Sequence, residues 1–141
     1  MKLKRSLGQN FLTDSFFLEK IVQSSQIQKL DDVIEIGSGD GALTELILKK
    51  SNSLTAIEID PRFSEKLRKK HIDENFHIHN KDFLKIDLNE INFEDKVVMG
   101  NLPYNVSSQI IFRLLESGLK FRHCVFLLSL IHISEPTRHS D

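Results

Sequence analysis

The chain has a single cysteine, almost no net charge and no long apolar run. One thiol, Cys124, excludes an internal disulfide, and its place in the apolar stretch Cys124–Leu128 points to a buried group. That stretch is also the longest uninterrupted apolar run, far too short to cross a bilayer. The basic start runs into Ser6-Leu7-Gly8-Gln9-Asn10 and not into an apolar segment, so no secretion signal is legible. These absences predict a cytoplasmic protein without a membrane anchor. A formal net charge of −1 leaves no global basic field to announce a nucleic-acid partner. The six histidines are scattered. His77 and His79 alternate on an expected strand, but no carboxylate or cysteine completes a ligand set, so no metal is expected. Repeats and low-complexity segments are absent as well.

What is present is ordinary in bulk and specific in detail. The chain's 141 residues, 40% apolar and 28% charged, suffice for one globular domain with its own core. Apolar residues at Phe17, Leu18, Ile21 and Val22 give helical spacing over Asp14–Gln26. Val33–Ile36 reads as a short buried strand, and Ala42–Lys50 as a helix with Leu43, Leu46 and Ile47 on one stripe. Leu54–Ile59 is a second strand, and Pro61 opens a helix to about Lys70. Further strands are expected at Phe76–His79, Val97–Gly100 and His123–Leu127. A helix over Ser107–Glu116 stops at Gly118. Strands separated by helices predict an α/β fold with a parallel sheet covered on both faces. Ligands of such sheets bind at the carboxyl ends of the strands.

Each chemically suggestive segment falls at such an end. Gly37-Ser38-Gly39-Asp40-Gly41 is a glycine-rich turn between strand and helix, where bare Cα atoms admit positive φ and close approach of a ligand. Its glycines alternate, unlike the spacing that seats a pyrophosphate, and acids flank it at Glu35 and Asp40. That pattern suits a cationic, phosphate-free ligand such as S-adenosylmethionine; a tight structural turn is the plainer reading. Glu58, about twenty residues on, can accept hydrogen bonds from both hydroxyls of a ribose. Asp60 fits better as a helix cap. Asp82 can accept from an adenine amine, with Phe83 as an apolar wall, or can serve a turn. Asn101-Leu102-Pro103-Tyr104 follows the fourth strand. The Asn101 side-chain oxygen and the Leu102 carbonyl can accept the two N–H hydrogens of an exocyclic base amine, exposing its lone pair. Pro103 fixes its own φ and holds Leu102 extended, and Tyr104 offers a flat face to an unstacked base. A strand-end turn is the alternative. Lys2, Lys4 and Arg5 crowd the N-terminus with no acid before Asp14, which suits phosphates or solvent equally.

Together these segments resemble the ribosomal RNA adenine dimethyltransferase family. The matching blocks are Ser6–Leu12, Glu35–Thr44, Glu58–Asp60, Asp82–Leu84 and Asn101–Ser108, covering the chain from about residue 4 to 127. Leu7-Gly8 and Leu102 look more like the small-subunit enzyme than the related antibiotic-resistance methylases of the large subunit. The resemblance implies a Rossmann-like class I methyltransferase fold and S-adenosyl-L-methionine as cofactor. It further implies dimethylation of the N6 of two adjacent adenosines in small-subunit ribosomal RNA, a step in ribosome biogenesis. It puts Asn10, Leu12, Gly37, Glu58, Asp82 and Asn101 around the cofactor and Asn101, Leu102, Pro103 and Tyr104 around the target adenine. Lys2, Lys4 and Arg5 then become an RNA-facing arm.

The resemblance stops near Leu127. From Leu128 to Asp141 the sequence looks like a translated sequencing adapter, so the expected organisation is an incomplete methyltransferase domain over residues 1–127, truncated before its last strands, and a foreign tail. A helical RNA-binding domain, usual in the family, is expected to be missing, and this exact chain is expected to be weakly active or inactive. Two other functions stay open: a DNA amino-methyltransferase, which shares the Asn-Pro-Tyr logic, and a non-catalytic RNA-binding assembly factor.

Overall fold

The computed structural model describes residues 15–129. A helix, α1, covers 15–25. Strands and helices then alternate: β1 (Asp32–Ile36), α2 (Ala42–Lys50), β2 (Ser53–Ile57), α3 (Pro61–Lys70), β3 (Phe76–His79), β4 (Val97–Pro103), α4 (Tyr104–Glu116) and β5 (His123–Ser129). A 3-10 turn at Leu88–Glu90 interrupts the long connection from β3 to β4.

The five strands form one sheet in the order β3-β2-β1-β4-β5, and every pairing is parallel. Side chains alternate across it. Ile34, Ile36, Ile57 and Val98 join Phe83, Phe93, Ile110 and Leu114 on one face. Val33, Leu54, Val97 and Met99 join Leu18, Ile21, Leu43 and Ile47 on the other. Burial on both faces explains why the strands read as unbroken apolar runs. Each fully buried aliphatic side chain contributes roughly 2 kcal/mol of transfer free energy.

The local signals act as their chemistry requires. Pro61 opens α3, and the Asp60 carboxylate accepts from the Arg62 N–H at 2.8 Å, satisfying an orphan donor of the first turn. Gly41 precedes α2, in the left-handed region at φ 93°, with Asp40 Oδ1 accepting from the Ala42 N–H.

Several boundaries differ from the sequence reading. β2 ends at Ile57, so Glu58 sits one residue past the strand, its side chain turned to backbone amides. β4 runs on through Asn101, Leu102 and Pro103 because β5 continues to pair beside it, Asn101 with Leu127 and Pro103 with Ser129. α4 begins at Tyr104, directly after that strand, and not at Ser107. β5 extends through Leu128 and Ser129, across the point where the sequence reading starts a foreign tail.

β1 and β4 are neighbours although α2, β2, α3, β3 and a long connection separate them in the chain. The sheet grows from β1 towards β2 and β3 on one side, and towards β4 and β5 on the other. Connections that leave in opposite directions open a crevice above the carboxyl ends of β1 and β4.

Candidate functional site

A cavity of about 310 Å³ lies in that crevice. Its wall includes Glu35 from β1, Gly37, Ser38, Gly39 and Asp40 from the turn after it, Glu58 and Ile59 from the turn after β2, Phe63 from α3, and Asn101 and Leu102 from β4. Segments from three strand ends, distant in sequence, therefore meet at one place.

The glycine turn is shaped as the sequence implies. Gly37, Gly39 and Gly41 have φ of 81°, 55° and 93°. Gly37 is the most constrained: a Cβ there would run into the side chain of Leu102. The Gly37 N–H donates to the Ile57 carbonyl at 2.8 Å, extending the β1–β2 ladder by one bond. The tip of the turn is then tied to the end of β2, since the Gly39 N–H donates to Glu58 Oε1 at 2.7 Å. The other oxygen of Glu58 accepts from the Asp60 N–H at 2.8 Å. Two amides thus fix the carboxylate, and its remaining lone pairs stay available at the cavity wall.

Glu35 is the unusual group. It alternates with Ile34 and Ile36, so it faces α2 and is fully buried. Its Oε1 accepts from Thr44 Oγ1 at 2.6 Å and from Ser38 Oγ at 3.0 Å. Its Oε2 is buried with no hydrogen-bond partner among the described residues. Burial pushes this carboxyl up to about 7, against the two hydroxyl hydrogen bonds, and the charges of Glu58 and Asp40 add to the rise. Among the described residues the wall holds Glu35, Asp40 and Glu58 but no lysine or arginine. An unpaired acceptor beside further carboxylates suits a positively charged ligand and opposes a pyrophosphate.

Asn101 and Leu102 border the cavity from β4, opposite Gly37. Pro103 closes the strand at φ −57° and ψ 148° and occupies the position before α4. Tyr104 follows in the first turn of α4, 44% exposed and outside the cavity wall. Behind this corner, Ser107 Oγ donates to the Leu102 carbonyl at 3.3 Å.

Asp82 lies apart from this group. It is not among the cavity-lining residues, and its Oδ1 accepts from the Leu84 N–H at 3.0 Å while its carbonyl receives the N–H groups of Lys85 and Ile86. Phe83 is 4% exposed, packed edge-on against Phe93 in the core and not on the cavity wall. Arg113 of α4 secures this turn, donating to the carbonyls of Phe83 and Ile86. Asn10, Leu12, Lys2, Lys4 and Arg5 lie outside the described residues.

Sequence reasoning missed Ile59 and Phe63 on the wall and the supporting hydroxyls of Thr44 and Ser107. Thr44 had a signal, a hydroxyl next to the apolar stripe of α2. Ser107 had none, because its partner belongs to the preceding strand. Among the described residues no group of three or more His, Cys, Asp or Glu is placed to hold a metal ion, and no helix is long and apolar enough to cross a membrane.

Comparison with known proteins adds an independent line. The family model for ribosomal RNA adenine dimethylase matches residues 1–131. The ribosomal RNA small subunit methyltransferase A of Mycoplasma mobile is 41% identical over 126 residues, covering 89% of this chain and 48% of the relative. Among solved structures, a dimethyladenosine transferase from Plasmodium falciparum superposes with a TM-score of 0.67 at 30% identity, over 79% of this chain and 40% of that one. The 23S rRNA methyltransferase ErmE gives a TM-score of 0.67 at 26% identity, over 82% of this chain and 46% of its own. The chain spans about half the length of the curated relatives it matches.

Proposed function

Because the chain belongs to the ribosomal RNA adenine dimethylase family, we propose that it carries the methyl-transfer site of an enzyme that dimethylates adenine N6 in small-subunit ribosomal RNA. The observation that carries this reading is the meeting of Asn101 and Leu102 with Gly37, Glu35 and Glu58 around one cavity. S-adenosylmethionine, when bound, supplies a methyl group on a sulfonium, ready for displacement by a nitrogen nucleophile.

The residues present fit that cofactor. Glu35 Oε2 is an orphaned acceptor, Glu58 has lone pairs to spare for ribose hydroxyls, and the bare Cα of Gly37 lets a ligand lie against backbone. Asn101 and the Leu102 carbonyl take the two N–H hydrogens of the target amine. Accepting both makes the nitrogen more pyramidal and aims its lone pair. Tyr104 stacks on the unpaired adenine, where one face is worth roughly 1–3 kcal/mol per base. The described residues show no strong general base beside Asn101, and none is required, since the nitrogen becomes acidic once alkylated. Catalysis then comes mainly from orientation. Asn10 and Leu12 complete the cofactor site, Asp82 reads the cofactor's adenine through a movement of its turn, and Lys2, Lys4 and Arg5 hold RNA phosphates.

We place the methyl-transfer domain at residues 1–127, with the sequence from Leu128 foreign to it and a helical RNA-binding domain in the longer parent protein. The decisive test incubates the full-length protein with labelled methyl donor and either unmethylated small subunits or duplex DNA. Labelling of the subunits, with loss of at least about 100-fold in Asn101→Ala, is expected. Labelling of DNA alone refutes the substrate. Subunit binding without any methylation by the unmutated protein refutes the enzymatic reading and favours an assembly factor.

A further inference from the structure

Past Met99, β4 leaves the support of β1. The pairing of β1 with β4 ends at Glu35 and Met99, whereas β4 continues to Pro103 with a partner only on the β5 side. Leu102 therefore lies on an overhang held along one edge. Its carbonyl has to be aimed to within a few tenths of an ångström if it is to meet an amine hydrogen, because a misplacement of about 1 Å can cost 100-fold in rate.

Two contacts hold this overhang. On the side-chain side, Leu102 packs against Gly37, where no Cβ fits. On the main-chain side, the Ser107 hydroxyl donates to the Leu102 carbonyl. Ser107 is fully buried, so its hydroxyl is not there for solvation. The bond is also unlike those of the other helical serines. Ser25, Ser108 and Ser117 donate to carbonyls three or four residues back, within or at the end of their own helix. Ser107 reaches five residues back, over the corner at Pro103 and into the strand. That corner has no side-chain cap, and Pro103 has no N–H to offer. The same carbonyl lies in the ladder with β5, where Leu102 pairs with Leu128 and Pro103 with Ser129, so strand and serine hold it together.

We propose that Ser107 is a positioning residue for methyl transfer: its hydrogen bond to the Leu102 carbonyl fixes the corner of β4 from which Asn101 and Leu102 meet the target amine. Gly37 supplies the opposing stop, which couples the glycine turn under the cofactor to the group that holds the nucleophile. The inference rests on the amine-methyltransferase reading above and adds a residue that touches neither cofactor nor base.

The test uses the full-length enzyme on unmethylated small subunits, with Ser107→Ala and Ser107→Thr. Alanine is favourable in a helix and removes only the hydroxyl, so the fold should persist. For Ser107→Ala, kcat should fall about 10-fold, while KM for S-adenosylmethionine and the affinity for S-adenosylhomocysteine stay within about twofold. The melting temperature should change by no more than a few degrees. Ser107→Thr, which keeps the hydroxyl, should return kcat to within about threefold of the unmutated enzyme. Unchanged kcat in Ser107→Ala overturns the proposal. So does a loss shared equally by product affinity and melting temperature, and so does a threonine variant as slow as alanine. If the unmutated enzyme labels DNA and not RNA, and Ser107→Ala is slow on DNA, the substrate reading fails and the role of Ser107 stands. If the unmutated enzyme labels neither, both fall.

Discussion

Replacing Glu35 with glutamine should abolish a pH dependence of folding that this one side chain creates. The carboxyl is fully buried, and burial lifts it from an ordinary 4.5 to about 7. Between those two values the folded protein holds a proton that the unfolded chain has released. Unfolding then releases a proton, so stability falls as pH rises across this window. The contribution is intact below pH 4.5 and gone above pH 7. At about 1.4 kcal/mol per unit, the rise to about 7 corresponds to about 3 kcal/mol. Glutamine has nearly the same shape. Its amide oxygen can accept from Thr44 and Ser38 as Glu35 Oε1 does, at 2.6 and 3.0 Å, and it never ionises. Urea denaturation of both proteins from pH 5 to pH 8.5 isolates the effect, because other titrating groups cancel in the difference. The variant should gain on the parent by about 2.5 kcal/mol over that range, the first part of the loss falling below pH 5. The same exchange has a cost in binding. A cationic ligand against Oε2 draws the proton off, so S-adenosylmethionine should bind the parent more tightly as pH rises from 6 to 8, and the variant should lack that trend. A stability difference that stays flat with pH would show that Glu35 is charged in the folded protein, and the account of the buried acid would be wrong.

Gly37→Ala should lower stability by about 2 kcal/mol or more, from a β-carbon at positive φ together with its collision with Leu102. It should also abolish cofactor binding in calorimetry; undiminished binding would mean that the turn has room the structure denies it. Arg113→Ala should free the turn after Asp82, because the guanidinium donates to the Phe83 and Ile86 carbonyls, contacts worth about 2 kcal/mol. Amide exchange at Leu84, Lys85 and Ile86 should quicken while that of β1 and β2 does not, and uniform protection would refute the clamp.

Much of the architecture was legible because it is written locally. Pro61 after Asp60 marks the start of α3, helical spacing marks α2, and unbroken apolar runs mark strands buried on both faces. The glycine turn and the Asn101–Tyr104 run were equally readable, since each needs a residue type that its neighbours cannot replace. The errors share one cause. The extension of β4 through Pro103 depends on β5, more than twenty residues later, continuing to pair with it. The position of Glu58 beyond β2 depends on an amide at Gly39 that the sequence places in another turn.

The chain by itself determined which groups exist to do chemistry and which strand ends carry them, because helix period, strand alternation and glycine conformation act over a few residues. Tertiary structure alone decided what those groups face. Register between β1 and β4 set Leu102 over Gly37; the packing of α2 on the sheet buried Glu35 against Thr44 and left Oε2 unpaired; the fold of the β3–β4 connection turned Asp82 to its own backbone, outside the cavity. Such contacts join residues far apart along the chain, and no local periodicity encodes the distance between them.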